Sequence, residues 1–321
     1  PTIGVGWLRD YPGVKARLHS RGFSRHTFMC GQSGSGKTYT TGVLFERLLA
    51  HSSLPVMVLD PNSDHVHLGS LADPDDPAPE AAFYRRVMDS VSVSRARGLD
   101  STFTLCVDFS DLEPEVQAAL LRLDPIADLD DYNALLQVTS GLGETYSITD
   151  VAHASGAAET SAGLARRIEN LRLDRWGLWK RPGETSATEA DAISRRFVVA
   201  DLGSLTTPDE RTAVALAVLG NRWRARRDRQ PVLLAIDEAH NVLPASADNP
   251  LLRAASETGV LIAGEGRKFG LHLFVASQRP GKVHPNVISQ CDNLILMRMN
   301  GAGDVATLET QFSHVPAPLL R

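Results

Sequence analysis

Gly31-Gln32-Ser33-Gly34-Ser35-Gly36-Lys37-Thr38 decides the reading of this chain. It fits the phosphate-loop pattern G-x-x-x-x-G-K-[ST] at every fixed position. Its flanks fit as well. Residues 26–30 read as a short apolar strand. Residues 39–50 read as a helix with Val43, Leu44, Leu48 and Leu49 on one face. Phosphate binding needs both flanks: glycines let the backbone curl so that its N–H groups point inward, and a helix N-terminus adds partial positive charge. Gly31, Gln32, Ser33, Gly34, Ser35, Gly36, Lys37, Thr38 and the adjoining Tyr39 are therefore the expected contacts of an ATP phosphate tail. Lys37 is expected to reach the β- and γ-phosphates, and the Thr38 hydroxyl to ligate Mg²⁺.

The second half of such a site stands about 200 residues on, where the strand-like run 232–236 delivers Asp237 and Glu238 together. Asp237 suits a Mg²⁺ shell, and Glu238 suits a base that orients and polarises water. A bound cation offsets the desolvation cost of two adjacent carboxylates. Residues 271–276 read as a further strand, so Gln278 is expected beside the acidic pair, where a neutral amide could sense the γ-phosphate. Arg267 and Lys268 end a helix before Gly270, where a neighbouring subunit could receive them.

The chain has 321 residues, with 43% hydrophobic and 22% charged, which suits one large α/β domain or two small ones. A net charge of −5 excludes a uniformly basic nucleic-acid binder but leaves room for a local basic groove or pore. The three cysteines, Cys30, Cys106 and Cys291, form no metal spacing or disulfide framework, so a reducing cytoplasm is expected. No run is apolar enough to span a bilayer, and no signal peptide is visible. The chain starts at Pro1, and its last strand-like unit lies near the C-terminus, as in a piece of a longer protein.

Taken in order, residues 1–25 are broken by Gly4, Gly6, Pro12 and Gly13 and read as a lead-in segment. Arg25 and His26 are either a solvated strand start or neighbours of a nucleotide base. The run 55–60 is a strand buried on both faces, ending in the polar turn Asp60-Pro61-Asn62-Ser63-Asp64. Asp60 and Asp64 either face the nucleotide or a neighbour, or simply build that turn. His65 and His67 are expected to face solvent. A loop over 73–79 precedes a helix carrying Phe83, Tyr84, Val87 and Met88, and 102–109 reads as strand. Residues 112–195 turn helical and end in a polar loop, 181–191. Trp176 and Trp179 share one helical face, for packing rather than base stacking. The acidic run 124–131 lacks the features of a calcium loop. Residues 196–202 return to strand, and Thr207-Pro208-Asp209-Glu210 starts a helix. That helix closes near Arg229 on five arginines, a complement to the helix dipole or a contact for a DNA backbone. Residues 293–299 form the last strand, with a helix from 304.

Together, the phosphate loop, Ile-Asp-Glu-Ala-His at 236–240, Glu-Gly-Arg-Lys-Phe-Gly at 265–270, Ser-Gln-Arg-Pro at 277–280 and Ser-Gln-Cys-Asp at 289–292 resemble the HerA branch of the HerA–FtsK ATPases. The resemblance runs over residues 26–310. It implies an α/β, RecA-like P-loop NTPase with a mainly parallel sheet flanked by helices; the helical pattern of 112–195 is read as an insertion between core parts at 1–111 and 196–321. It also implies a hexameric ring that uses ATP and Mg²⁺ to move double-stranded DNA, in end processing with a NurA-like nuclease or in antiphage defence with other effectors. Transferred by position, Lys37 and Thr38 bind phosphate and Mg²⁺, Asp237 supports the metal, Glu238 is the catalytic base and Gln278 the sensor. Arg267 is the candidate arginine finger acting on a neighbour's ATP, and Arg279 is second. Family members carry a small β-barrel before the core, for which this chain has no room ahead of Gly31. The alternatives are a conjugation- or secretion-type motor of the same superfamily and a nucleotide-dependent assembly switch.

Overall fold

The computed structural model describes residues 2–71, 73, 79–157, 159–189, 195–313 and 315. Positions 74–78 of the loop expected over 73–79, positions 190 and 191 of the polar loop, and the side chain of Phe83 lie outside the described residues.

The strands are β1 (Thr2–Trp7), β2 (Lys15–His19), β3 (Thr27–Cys30), β4 (Val56–Asp60), β5 (Val91–Arg95), β6 (Phe103–Thr104), β7 (Phe197–Asp201), β8 (Val232–Ile236), β9 (Leu271–Ser277) and β10 (Asn293–Leu296). The helices are α1 (Lys37–His51), α2 (Pro79–Val87), α3 (Pro114–Leu120), α4 (Leu129–Gly141), α5 (Ile148–Gly156), α6 (Ala162–Asn170), α7 (Pro208–Arg224), α8 (Pro250–Glu265), α9 (Pro285–Ile288) and α10 (Ala302–Gln311).

Among the described residues eight strands pair in parallel in the order β10-β3-β9-β8-β4-β7-β5-β6. The inner strands β3, β4, β7 and β8 are buried at every residue, as their continuous apolar runs require. Side chains alternate between two faces. On one face Met29, Val58, Val199, Leu233 and Phe274 pack under α1, with Ile3 of β1 in the same cluster. On the other, Phe28, Leu59, Val198, Leu234 and Leu273 share a core with residues of α3 to α10. Phe45 pins α1 to the sheet, its ring edge-on to Phe197 at 5.6 Å and Phe274 at 5.7 Å. Burying such a ring contributes about 1.5–3 kcal/mol.

The lead-in segment differs from expectation. β1 and β2 form an antiparallel hairpin whose glycines are accommodated by a register shift between Gly4 and Gly6. β5 carries no continuous apolar signature in its Val-Ser-Val-Ser-Arg sequence, yet it pairs with β7 along four residues, Val91 to Ser94. The strand expected over 102–109 pairs only at Phe103 and Thr104, and the chain then leaves the sheet for a single bridge, Val107 to Trp179. Within the stretch 112–195 expected to be helical, α3 to α6 fall between 114 and 170, whereas the described residues 171–189 form turns and the short 3-10 segment Leu173–Arg175 rather than α-helix. Trp176 and Trp179 stack at 5.9 Å, but they follow the short 3-10 turn Leu173–Arg175 rather than sharing a helix. α7 starts with a full capping box, Thr207 against Glu210, with Pro208 in its first turn. Its arginine-rich end is used in packing: Arg224 donates to the Asp111 carbonyl at 2.9 Å, and Arg226 lies 4.2 Å over the Trp223 ring.

Candidate active site

The strand order brings three loops together at the C-terminal ends of adjacent strands. β3 feeds the phosphate loop, β9 ends at Gln278, and β8 ends at Asp237 and Glu238. Ligands bind at this edge in parallel α/β sheets.

The loop's shape follows from its glycines. Gly34 and Gly36 have φ of 73° and 89°, in the left-handed region open to glycine. Gly31 is required for a different reason: a Cβ there would lie 2.5 Å from the Met297 Cβ and 2.6 Å from the Ser35 Oγ. α1 starts at Lys37 with Gly36 as its N-cap and no side chain capping the first turn, so its N–H groups remain available to an anion. The chain beyond β10 braces the loop, since Gln32 N–H donates to the Arg298 carbonyl at 3.2 Å. The Arg298 guanidinium reaches the neighbourhood of Gly34.

A cavity of about 320 Å³ opens in front of the loop. Lys37, Thr38, Tyr39 and residues 32–36 other than Ser35 line one side. Asn62, Asp64, Glu238 and Gln278 line the other. Lys37 Nζ donates to Asp237 Oδ1 at 2.5 Å and lies 3.0 Å from Glu238 Oε1. Gln278 Nε2 donates to Glu238 Oε1 at 2.9 Å. His240 Nδ1 lies 3.3 Å from Glu238 Oε2 and 3.0 Å from Ser277 Oγ. Glu238 itself is held at φ 41°, a left-handed conformation rare for a side chain of this kind. Such strained positions cluster at functional sites.

The electrostatics follow from the pairing. Burial acts to raise the Asp237 carboxyl, but the contacts with His65, Lys37 and the Glu238 N–H outweigh it and hold the group at about 2. Burial acts to lower the Lys37 ammonium, and the two carboxylates outweigh it and raise it. His240 is lowered, chiefly by burial. Ser35 Oγ and Asp237 Oδ2 are buried without a hydrogen-bond partner among the described residues. The Thr38 hydroxyl at the cavity wall and Asp237 Oδ1 beside Lys37 are oxygen donors that fit a nucleotide phosphate and a hard, oxygen-preferring cation such as Mg²⁺.

Lys37, Thr38, Asp237, Glu238 and Gln278 thus converge in space. Arg267 does not join them. It stands before β9, bonded to Asp292, which is also 3.6 Å from Arg25. The seven residues of β9 separate it from Gln278, roughly 20 Å at ~3.3 Å per residue. Arg279 follows Gln278 and is exposed. Asp60 builds the turn, its carboxylate accepting the N–H groups of Asn62 at 3.2 Å and His65 at 2.8 Å, whereas Asp64 reaches the cavity. His67 is exposed, but His65, expected in solvent, is buried and its Nε2 lies 3.7 Å from Asp237 Oδ2. The Asp60-built turn folds His65 inward, a contact no local pattern reveals. His26 likewise proves fully buried, accepting the Leu273 N–H at 2.9 Å at the opposite edge of the sheet from the phosphate loop, so it touches no nucleotide base.

Known proteins resemble this chain along most of its length. The family described as "Helicase HerA, central domain" matches residues 3–216. The DNA double-strand break repair helicase HerA of Pyrococcus furiosus is 21% identical over 359 residues, spanning 92% of this chain and 60% of that protein. Its namesake in Saccharolobus solfataricus is 22% identical over 318 residues, 89% of this chain and 57% of that protein. The chain thus spans about three-fifths of the length of these relatives. The structure of VirB4 of Thermoanaerobacter pseudethanolicus superposes with a TM-score of 0.64 at 18% identity, covering 99% of this chain and 90% of that one, a likeness of fold. Among the described residues no helix is long and apolar enough to cross a membrane.

Proposed function

The chain belongs to the HerA helicase central-domain family, and on that premise we propose that it is an ATP-hydrolysing motor that moves double-stranded DNA. The observation that carries this reading is the convergence of Lys37, Glu238 and Gln278 on one cavity beside an uncapped helix N-terminus, with Asp237 bonded to Lys37 behind it.

In this reading the loop N–H groups and Lys37 bind the phosphates of ATP. Lys37 exchanges its carboxylate partners for phosphate oxygens. Thr38 and Asp237 hold Mg²⁺, which neutralises phosphate charge when bound. Glu238, fixed by Gln278 and His240, orients a water and takes up its proton. Gln278 bonds directly to the base and so links its position to the γ-phosphate. Arg267, too far from its own loop, acts on the ATP of a neighbouring subunit, and Arg279 is the second candidate. That arrangement requires an oligomer, for which a hexameric ring is the proposal. Residues 112–195 are read as an insertion into the ATPase core. A nuclease of the NurA kind or another effector is the proposed partner, in DNA end processing or antiphage defence.

The test is ATP turnover by the purified chain with and without linear duplex DNA, with Lys37→Ala and Glu238→Gln as controls. Turnover stimulated by DNA and lost in both variants is expected. Turnover indifferent to DNA would favour an assembly switch or a different cargo.

A further inference from the structure

His65 touches the site from behind, and nothing in the phosphate-loop chemistry accounts for it. Its side chain is 2% exposed, and that of Asp237 is 1% exposed. The Asp237 carboxylate uses its two oxygens differently. Oδ1 accepts from Lys37 at 2.5 Å and from the Glu238 N–H at 2.9 Å. Among the described residues Oδ2 has no hydrogen-bond partner, and the atom that faces it is His65 Nε2, at 3.7 Å and equally unpartnered there. Two buried polar atoms that face each other with no other outlet are costly to leave apart and favourable to join.

The position of the imidazole is determined on both sides. Asp60 Oδ2 accepts the His65 N–H at 2.8 Å and fixes the backbone. The Phe45 ring packs edge-on to the imidazole at 5.1 Å, and Phe45 belongs to the helix that opens with Lys37. His65 is therefore held by the same helix that carries the phosphate-binding lysine.

We infer that His65 is a positioning residue for Asp237: its Nε2–H holds Oδ2, so that Oδ1 keeps its place beside the phosphate-loop lysine when Lys37 turns to phosphate. Without that hold, the carboxylate is free to rotate once its lysine leaves. The inference rests on the ATPase reading given above. It assigns His65 no contact with substrate.

The test uses the full chain with His65→Phe, which keeps the ring packing and removes the donor, and His65→Gln, which restores a donor. Two readouts are taken: kcat and KM for ATP, and the gain in affinity for a fluorescent ADP analogue on adding Mg²⁺. His65→Phe is expected to lower kcat on the order of 10–100-fold, the usual effect of losing a residue that orients a metal-binding group. KM should stay nearly unchanged, the Mg²⁺-dependent gain should shrink, and His65→Gln should recover part of both. If His65→Phe matches the wild type in both readouts, the imidazole is core filler and the inference is overturned. Should His65→Phe not fold, His65→Leu replaces it, and equal losses in the Leu and Gln variants overturn the inference. A wild type that binds nucleotide but does not turn over ATP would count against the ATPase reading, and the Mg²⁺-dependent affinity would still decide the role of His65.

Discussion

Lys37 Nζ and Asp237 Oδ1 meet at 2.5 Å with both side chains almost wholly buried, joining the start of α1 to the end of β8 across the intervening strand β9. Ammonium and carboxylate neutralise each other here, and each offsets part of the cost of burying the other.

Removing one partner of a buried pair leaves an uncompensated charge. Lys37→Met is therefore expected to lower unfolding free energy by about 3–5 kcal/mol, besides abolishing turnover. Adding Asp237→Asn should return part of that stability, because the orphaned charge is gone. Urea denaturation of the single and double variants measures it, and a double variant no more stable than Lys37→Met would contradict the coupling.

The phosphate loop depends on Gly31 through a backbone approach rather than through its φ. Gly31→Ala drives a Cβ against the Met297 Cβ, at 2.5 Å, and should cost about 1–3 kcal/mol, together with most nucleotide affinity. Met297→Ala leaves the offending Cβ in place and should not rescue it. Met297→Gly should rescue it in part. Nucleotide affinity of the paired variants separates the two.

Stability should depend on pH in two windows. Burial, reinforced by the Arg267 and His272 charges, lowers His26 from 6.5 to about 4. Between those values the unfolded chain binds a proton that the folded chain refuses, so stability is full above 6.5 and falls on acidification toward 4, by roughly 3 kcal/mol. His26→Asn keeps an acceptor for the Leu273 N–H and should flatten this window. Asp237, held at about 2 against 3.8, adds stability that is present above 3.8 and lost as pH falls toward 2. Denaturation midpoints across pH for the wild type and His26→Asn check the first window.

Arg267 stands at the far edge of the sheet from its own phosphate loop, bonded to Asp292. If it acts across a subunit boundary, Arg267→Ala should lose turnover while retaining nucleotide affinity. Mixing Arg267→Ala with Lys37→Ala should then recover activity, because some boundaries pair an intact Lys37 with an intact Arg267. Absence of recovery in a mixed oligomer of demonstrated composition would count against action in trans.

Much of the site was legible because its information is local. A phosphate loop needs its glycines and lysine at fixed spacing, and a buried parallel strand writes itself as an apolar run ending in a turn. Hence Lys37, Asp237, Glu238 and Gln278 could be named from residue order. β5 was not legible, because Val-Ser alternation is weak evidence for a strand that another strand must cover. The hairpin of residues 2–19 was hidden by its own glycines.

The sequence by itself determined the phosphate loop, the acidic pair and the parallel α/β class, since backbone curl, helix start and strand burial are properties of short contiguous stretches. That β9 lies between β3 and β8, so that Gln278 bonds Glu238, and that Arg267 falls at the opposite edge came from long-range packing. So did the inward turn of His65 to face Asp237. These relations join residues far apart in the chain, and they arise from strand order and from the packing of rings such as Phe45 on the sheet, which no local pattern encodes.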